Sequence, residues 1–235
     1  MFSVDFGGSI LSKLGDKGMS TELGTKMARI LIGGAGGAPS EGVIYSLMKP
    51  ELGHQVIGVG SDPSDLVLSK AHETHLVPQA THHEYKEKLL SIVSKVRPDI
   101  VHFQNDSEIF IASQFRQDLE SLGARTFMPP HPVIDACVHK HKSYLAFSKA
   151  GIVVPKNRLL NSPPDLKAAF DELTSDSGGP LWLRSTDIGG GGKGSISTSN
   201  YELAKAWIDH HEGWGSFAAA EHLTNRTVTW TSIWY

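Results

Sequence analysis

The chain has 235 residues, 40% hydrophobic and 20% charged, with a formal net charge of −3 and a pI near 6.4. That length buries a real core as one large domain or two small ones, the composition excludes an intrinsically disordered chain, and the mildly acidic balance excludes the basic face that nucleic-acid binders carry. A single cysteine, Cys137, excludes an internal disulfide, and no run approaches the ~20 apolar residues of a membrane span, so a cytoplasmic protein without nucleic-acid or membrane partners is expected.

Residues 1–25 mix glycines with charged side chains and read as a loose leader. Met27 to Ile32 is a short apolar strand that runs into the turn Gly33-Gly34-Ala35-Gly36-Gly37, after which a helix begins near Ser40. Gln55 to Val59 is a second strand, ending at Gly60, Ser61 and Asp62, which completes a βαβ unit. His82 to Val96 has apolar residues at helical spacing and stops at Pro98; Ile100 to Phe103 is a strand; Glu108 to Leu122 is a helix closed by Gly123. Repeated strand and helix with right-handed crossovers fold into a doubly wound parallel sheet.

Pro129, Pro130 and Pro132 mark a domain boundary. Beyond it, Val138 to Ala150 reads as a helix, Arg158 to Leu160 as a strand, Asp165 to Leu173 as a helix and Leu181 to Leu183 as a strand leading to Arg184. Gly189 to Gly194 is a glycine loop, Ser195 to Ser197 a strand, Tyr201 to His211 a helix, and Phe217 to Glu221 a strand. Thr227 to Tyr235 is a further β-rich run.

Two glycine segments carry chemistry. In Gly189-Gly190-Gly191-Gly192-Lys193-Gly194, backbone N–H groups converge on an anion without side-chain obstruction while lysine adds a mobile charge, which suits a polyphosphate. It is not a P-loop, because Lys193 precedes Gly194 and a strand rather than Ser/Thr and a helix; a plain empty hairpin is the bland alternative. The earlier turn, with Gly34, Ala35, Gly36 and Gly37, makes a weak dinucleotide fingerprint because Pro39 stands where a third glycine would allow close helix packing, although Asp62 mimics the ribose-binding acid. The histidines include several close pairs but no HExxH spacing, so no metal site is expected within the chain.

Taken in order, Lys142, Gly151-Ile152-Val153-Val154-Pro155, Pro180-Leu181-Trp182-Leu183-Arg184, the glycine loop and Ala220-Glu221-His222-Leu223 resemble the nucleotide site of the ATP-grasp superfamily. The resemblance is greatest to its carbamoyl-phosphate-synthase-like, carboxylate–amine ligase branch. It implies an α/β chain: a Rossmann-like pre-ATP-grasp parallel sheet over residues 26–132, an α+β ATP-grasp lid subdomain over residues 133–226, and, in residues 227–235, the first strand of an incomplete central subdomain. It implies an ATP-dependent ligase that activates a small carboxylate as an acyl phosphate for attack by an amine or related nucleophile. Lys142 and Arg184 would contact the ATP phosphates, Gly190, Gly191, Lys193 and Gly194 would fold over them, and Glu221 would meet the adenine amino group. Gly34, Ala35, Gly36 and Gly37 would take an anionic part of the substrate at a helix N-terminus. ATP and Mg2+ are the implied cofactors, with the metal ligands beyond residue 235, and a homodimer or a complementing chain is the implied partner. The chain departs from the pattern at His141, Ser185 and Thr227. An NAD(P)-dependent enzyme built on the first turn and Asp62, and a non-catalytic nucleotide-binding module that needs a second chain, are the rival expectations.

Overall fold

In the computed structural model the described residues are 27–174, 179–186, 192 and 194–223. The expected leader and the expected strand at residues 227–235 lie outside them.

The first unit alternates strand and helix: β1 (Arg29–Gly33), α1 (Ala38–Leu47), β2 (Gln55–Gly60), α2 (Pro63–Leu66), β3 (Glu73–Leu76), α3 (Tyr85–Val96), β4 (Ile100–His102), α4 (Asp106–Gln114), α5 (Arg116–Ser121) and β5 (Arg125–Thr126). The five strands are all parallel in the order β3-β2-β1-β4-β5. The order reverses between β1 and β4, and in open α/β sheets such a switch point leaves a crevice at the carboxyl ends of the strands. β1 and β2 are continuous apolar runs because helices cover both faces. One core holds Leu31, Ile57, Val101, Leu89 and Val93; the other holds Ile30, Ile32, Ile44 and Val56. In α3, Tyr85, Leu89, Ile92, Val93 and Val96 are buried at helical spacing, and Arg97 ends the helix in the left-handed region (φ 45°) before Pro98. Each fully buried aliphatic side chain there contributes about 1.5–3 kcal/mol relative to exposure.

The helix expected over Glu108 to Leu122 is two helices. Phe115 breaks it with φ −123° and ψ 30°, and its ring sits in the core at 6% exposure. The helix expected over Val138 to Ala150 is α7 (Lys140–Lys149), and a further helix, α6 (His131–Val138), precedes it, separated by His139 in an extended conformation. α6 sends Ile134 and Val138 into the core beneath the parallel sheet, so packing with that sheet continues past Pro132.

The second unit is an antiparallel sheet of β6 (Asn157–Leu160), β7 (Leu181–Ser185), β8 (Ile196–Thr198) and β9 (Phe217–Glu221), in the order β6-β9-β7-β8. Helices α8 (Pro163–Leu173) and α9 (Tyr201–His210) cover one face, where Leu160, Leu166, Leu181, Leu183, Ile208 and Ala219 form the core. Among the described residues no helix is long and apolar enough to cross a membrane.

Candidate functional site

Strand parity builds the face of the antiparallel sheet that α8 and α9 leave uncovered. Leu181 and Leu183 of β7 enter the core, so Trp182 and Arg184 point the other way. The register sets Trp182 against Ala220 and Arg184 against Ala218, and paired residues share a face, so two alanines keep this surface low beside a large ring and a guanidinium. Glu221 lies opposite Leu181, three strand residues from Arg184, or roughly 10 Å along the sheet. Next to it, the His222 ring is 6.1 Å from the Trp182 ring.

A pocket of about 320 Å³ opens here between β7, β9 and α7, with Trp182, Pro155, Tyr144, His222 and Leu223 in its wall. Two buried polar atoms on this face, Arg184 Nε and His222 Nδ1, have no hydrogen-bond partner. A buried donor without a partner is costly, so such atoms point to a ligand that supplies one. Past Arg184 the chain crosses to β8 through the glycine hairpin. Gly194 closes it with φ +69° and its carbonyl on Trp207 Nε1 at 3.0 Å, and a Cβ there would stand 3.8 Å from the Ser185 Cβ. The hairpin therefore ends beside Arg184. Gly190, Gly191 and Lys193 fall outside the described residues.

Lys142 turns its ammonium to Asp135, at 2.7 and 2.9 Å from the two carboxylate oxygens, and holds that carboxyl below its ordinary range. Lys140 adjoins the end of β7: its amide donates to the Thr186 carbonyl at 3.3 Å, and its ammonium bonds the Val138 carbonyl at 3.2 Å and stands 3.5 Å from Asp106. In the sequence it is one of two lysines in Lys140-His141-Lys142, and only its place at the start of α7 distinguishes it.

The glycine turn after β1 uses its own amides. Ala35 N–H donates to the Val59 carbonyl at 3.0 Å, Gly37 N–H to the Gly34 carbonyl at 3.1 Å, and Gly36 N–H to Glu41 Oε1 at 2.8 Å. Glu41 Oε2 accepts the Lys70 amide at 2.9 Å. Burial raises the Glu41 pKa, but the bonds from Lys70, Gly36 and Ser69 outweigh it and hold the carboxyl below its ordinary range. A protein carboxylate thus occupies part of the anion cradle expected at this turn. Asp62 is likewise engaged, capping α2 by accepting the Ser64 amide at 2.7 Å.

Gly34 alone of the four turn residues lines a pocket of about 220 Å³ at the switch point, together with Ser61, Gln79, Asn105, Ser107 and Glu108. Asn105 caps α4 by accepting the Glu108 amide at 2.7 Å and donates through Nδ2 to Glu108 Oε2 at 2.6 Å. The buried Tyr85 hydroxyl donates to Oε1 at 3.2 Å. Burial pushes the Glu108 carboxyl up to about 7, against the lowering effect of these two bonds, and burial beside Glu108 pushes the Tyr85 phenol up as well. The pocket adjoins a wider groove of about 610 Å³ along β3 and α3, with Ser61 and Pro78 lining both.

Among the described residues one His and carboxylate group, His82, His83 and Glu84, could share an ion; all three are exposed, on the turn before α3. Magnesium prefers near-octahedral oxygen ligands with one or two carboxylates. Among the described residues no group of three or more such ligands lies at the Arg184 end.

Comparison of the sequence with protein-family models and with curated proteins returns no match. The fold does match solved structures of ATP-grasp enzymes. N5-carboxyaminoimidazole synthetase from Staphylococcus aureus, complexed with ADP, superposes with a TM-score of 0.63 at 17% identity over 85% of this chain and 48% of its own. Carboxyaminoimidazole ribonucleotide synthase from Aspergillus clavatus, complexed with ATP, gives 0.62 at 14% identity over 84% and 47%. The biotin carboxylase domain dimer of Hydrogenobacter thermophilus 2-oxoglutarate carboxylase, with MgADP, ADP and bicarbonate, gives 0.60 at 18% identity over 84% and 45%. The chain spans a little under half the length of these three proteins. Over the part that it covers, it has the ATP-grasp fold: a parallel sheet of five strands followed by a separate antiparallel sheet.

Proposed function

We propose that this chain is the ATP-binding part of an ATP-grasp ligase that activates a carboxylate as an acyl phosphate for attack by an amine or related nucleophile. The observation that carries this reading is the presence on one sheet face of two buried polar atoms without a partner among the described residues: His222 Nδ1, in the wall of a pocket with Trp182, Pro155 and Leu223, and Arg184 Nε, farther along β7. In this reading the apolar wall takes the adenine, the main chain at Glu221, whose side chain shares the Leu181 face, meets its amino group at the rim, and Arg184 meets the phosphates. Adenine and polyphosphate are then separated by the three-residue step along β7 from Leu181, opposite Glu221, to Arg184. The glycine hairpin, with Gly190, Gly191, Lys193 and Gly194, folds over the phosphates and excludes water. Lys140, held beside Thr186, joins Arg184 as a second cation, and Lys142 acts through Asp135.

The reaction transfers the γ-phosphoryl group to a carboxylate oxygen with departure of ADP. The nucleophile then adds to the acyl carbon and inorganic phosphate leaves. The chain's contribution is to position the triphosphate and to stabilise charge as it moves toward the leaving oxygen, which fixed cations in a water-poor site do well. A homodimer or a complementing chain is part of the same reading; one of the similar structures is a dimer. The nicotinamide alternative loses its footing, because the Gly36 and Gly37 amides and the Asp62 carboxylate are engaged within the protein.

A ligand panel read by thermal stabilisation tests this. ATP and ADP should stabilise the chain and NADH should not; stabilisation by NADH alone would overturn the reading.

A further inference from the structure

The switch-point pocket has a chemistry of its own. Its wall carries the polar, uncharged side chains of Ser61, Gln79, Thr81, Asn105 and Ser107, a single acid, Glu108, and no lysine or arginine. Glu108 is 6% exposed, and its bonds come from the neutral Tyr85 and Asn105. Gly33 and Gly34 of β1 and the following turn pass close to it, with the Ser40 hydroxyl of α1 and the Phe103 ring after β4 nearby. Among the described residues, Tyr85 on α3 is the titratable group that bonds it. A Cβ on Gly33 would stand 2.5 Å from Glu108 Oε2 and 2.6 Å from the Phe103 ring, so the backbone can pass this close only without a side chain. A carboxylate offers about four lone-pair sites, of which Tyr85 and Asn105 use two. A buried carboxyl with acceptor capacity left, in a cavity without a cation, repels an anion and accepts from a donor.

We propose that this pocket binds a hydrogen-bond-donating group of the substrate, a primary ammonium or a hydroxyl, with the Glu108 carboxyl as its acceptor, and that it rejects phosphate and carboxylate. The inference replaces the anion expected at the Gly34 turn by a donor. It rests on the ligase reading only in calling the ligand a substrate. The body of the ligand extends into the groove beyond Ser61 and Pro78, whose wall includes Lys88, Glu84 and Glu87. Because Glu108 exchanges its proton near neutrality, an ammonium is held at pH 8, where the carboxyl is ionised, and released at pH 5.5, where it is neutral.

Nitrogen-15 correlation spectra of the full chain, titrated separately with ethanolamine, ribose, inorganic phosphate and acetate, test the proposal. Ethanolamine or ribose should shift the Gly34 and Ser107 amides saturably, and phosphate and acetate should not. Glu108→Gln should weaken the bound probe at least about tenfold with the rest of the spectrum unchanged. If that variant fails to fold, the wild type still decides: ethanolamine should bind at least about fivefold more weakly at pH 5.5 than at pH 8. Saturable shifts with phosphate or acetate, no shifts with any probe, equal binding by Glu108→Gln, or a flat pH profile for bound ethanolamine would each overturn it. An ATP titration of the same sample reports on Trp182 and Ala220, so the nucleotide reading and this one fail separately.

Discussion

Glu41 Oε1 accepts the Gly36 amide at 2.8 Å, and its second oxygen accepts the Lys70 amide at 2.9 Å, so one side chain ties the first glycine turn to the loop before β3. Glu41→Ala leaves both amides without their acceptor and should destabilise the fold by about 1 kcal/mol or more, measured by urea unfolding. Because the folded-state pKa of Glu41 lies below 4.5, its contribution is present above pH 4.5 and is lost as the pH falls through the folded value. Glu41→Gln should flatten that acid limb; an unchanged limb would assign it to other carboxyls.

Glu108 titrates in the opposite sense. Its folded-state pKa, raised from 4.5 to about 7, means that the neutral form is the stabilised one. Its contribution is complete below pH 4.5 and is lost as the pH rises to about 7, a change on the order of 2–3 kcal/mol. Denaturant midpoints of the wild type should fall between pH 5 and 7.5, whereas those of Glu108→Gln should stay level across the same range.

The Arg184 guanidinium has a buried Nε without a partner among the described residues, on the sheet face that α8 and α9 leave uncovered. Arg184→Ala should lower ATP affinity about ten- to a hundredfold, the loss of one charge-assisted contact of roughly 1.5–3 kcal/mol. Calorimetry with equal affinities for wild type and variant would mean that the phosphates lie elsewhere.

Lys140 and Lys142 should separate in the same assay. Lys140, next to Thr186, should lose several-fold in ATP affinity on change to Ala; Lys142, exposed and paired with Asp135, should lose less. The reverse order would restore Lys142 as the phosphate contact.

Two glycines near the turn should answer oppositely to alanine. At Gly36, with φ +89°, a Cβ would run into the Asp65 backbone carbonyl, so Gly36→Ala should unfold or severely destabilise the chain. Gly42, exposed inside α1 with nothing within 4 Å of a Cβ, should gain about 0.5–1 kcal/mol on the same change. Thermal melts of the two variants measure both effects.

The parallel unit is readable from its strands where these are apolar runs closed by glycine, as at Ile30–Gly33 and Val56–Gly60. Glu73–Leu76 and Arg125–Thr126 are not, because short edge strands have little apolar pattern and are held by neighbours' backbones, such as Val77 N–H on the Gly60 carbonyl and Arg125 N–H on the Asp99 carbonyl. The helix α6 hides behind Pro130 and Pro132, which read as a boundary although proline also opens helices. Arg184 and Glu221 are singled out in the sequence by the order of motifs around them, and the structure sets them on adjacent strands of one sheet. Glu41 and Glu108 are not, since each matters through a partner distant in sequence: Lys70 for one, Tyr85 for the other.

The alternation along β7 makes its two faces sensitive to a change in chain length. One residue inserted between Leu181 and Leu183 would turn the guanidinium toward α8 and α9 and bring Leu183 out to the other face. Substitutions on this strand degrade binding or packing one contact at a time, whereas a single insertion or deletion inverts both faces together. Variation in chain length should therefore accumulate beyond Ser185, where added residues do not change the parity of the strand that precedes them.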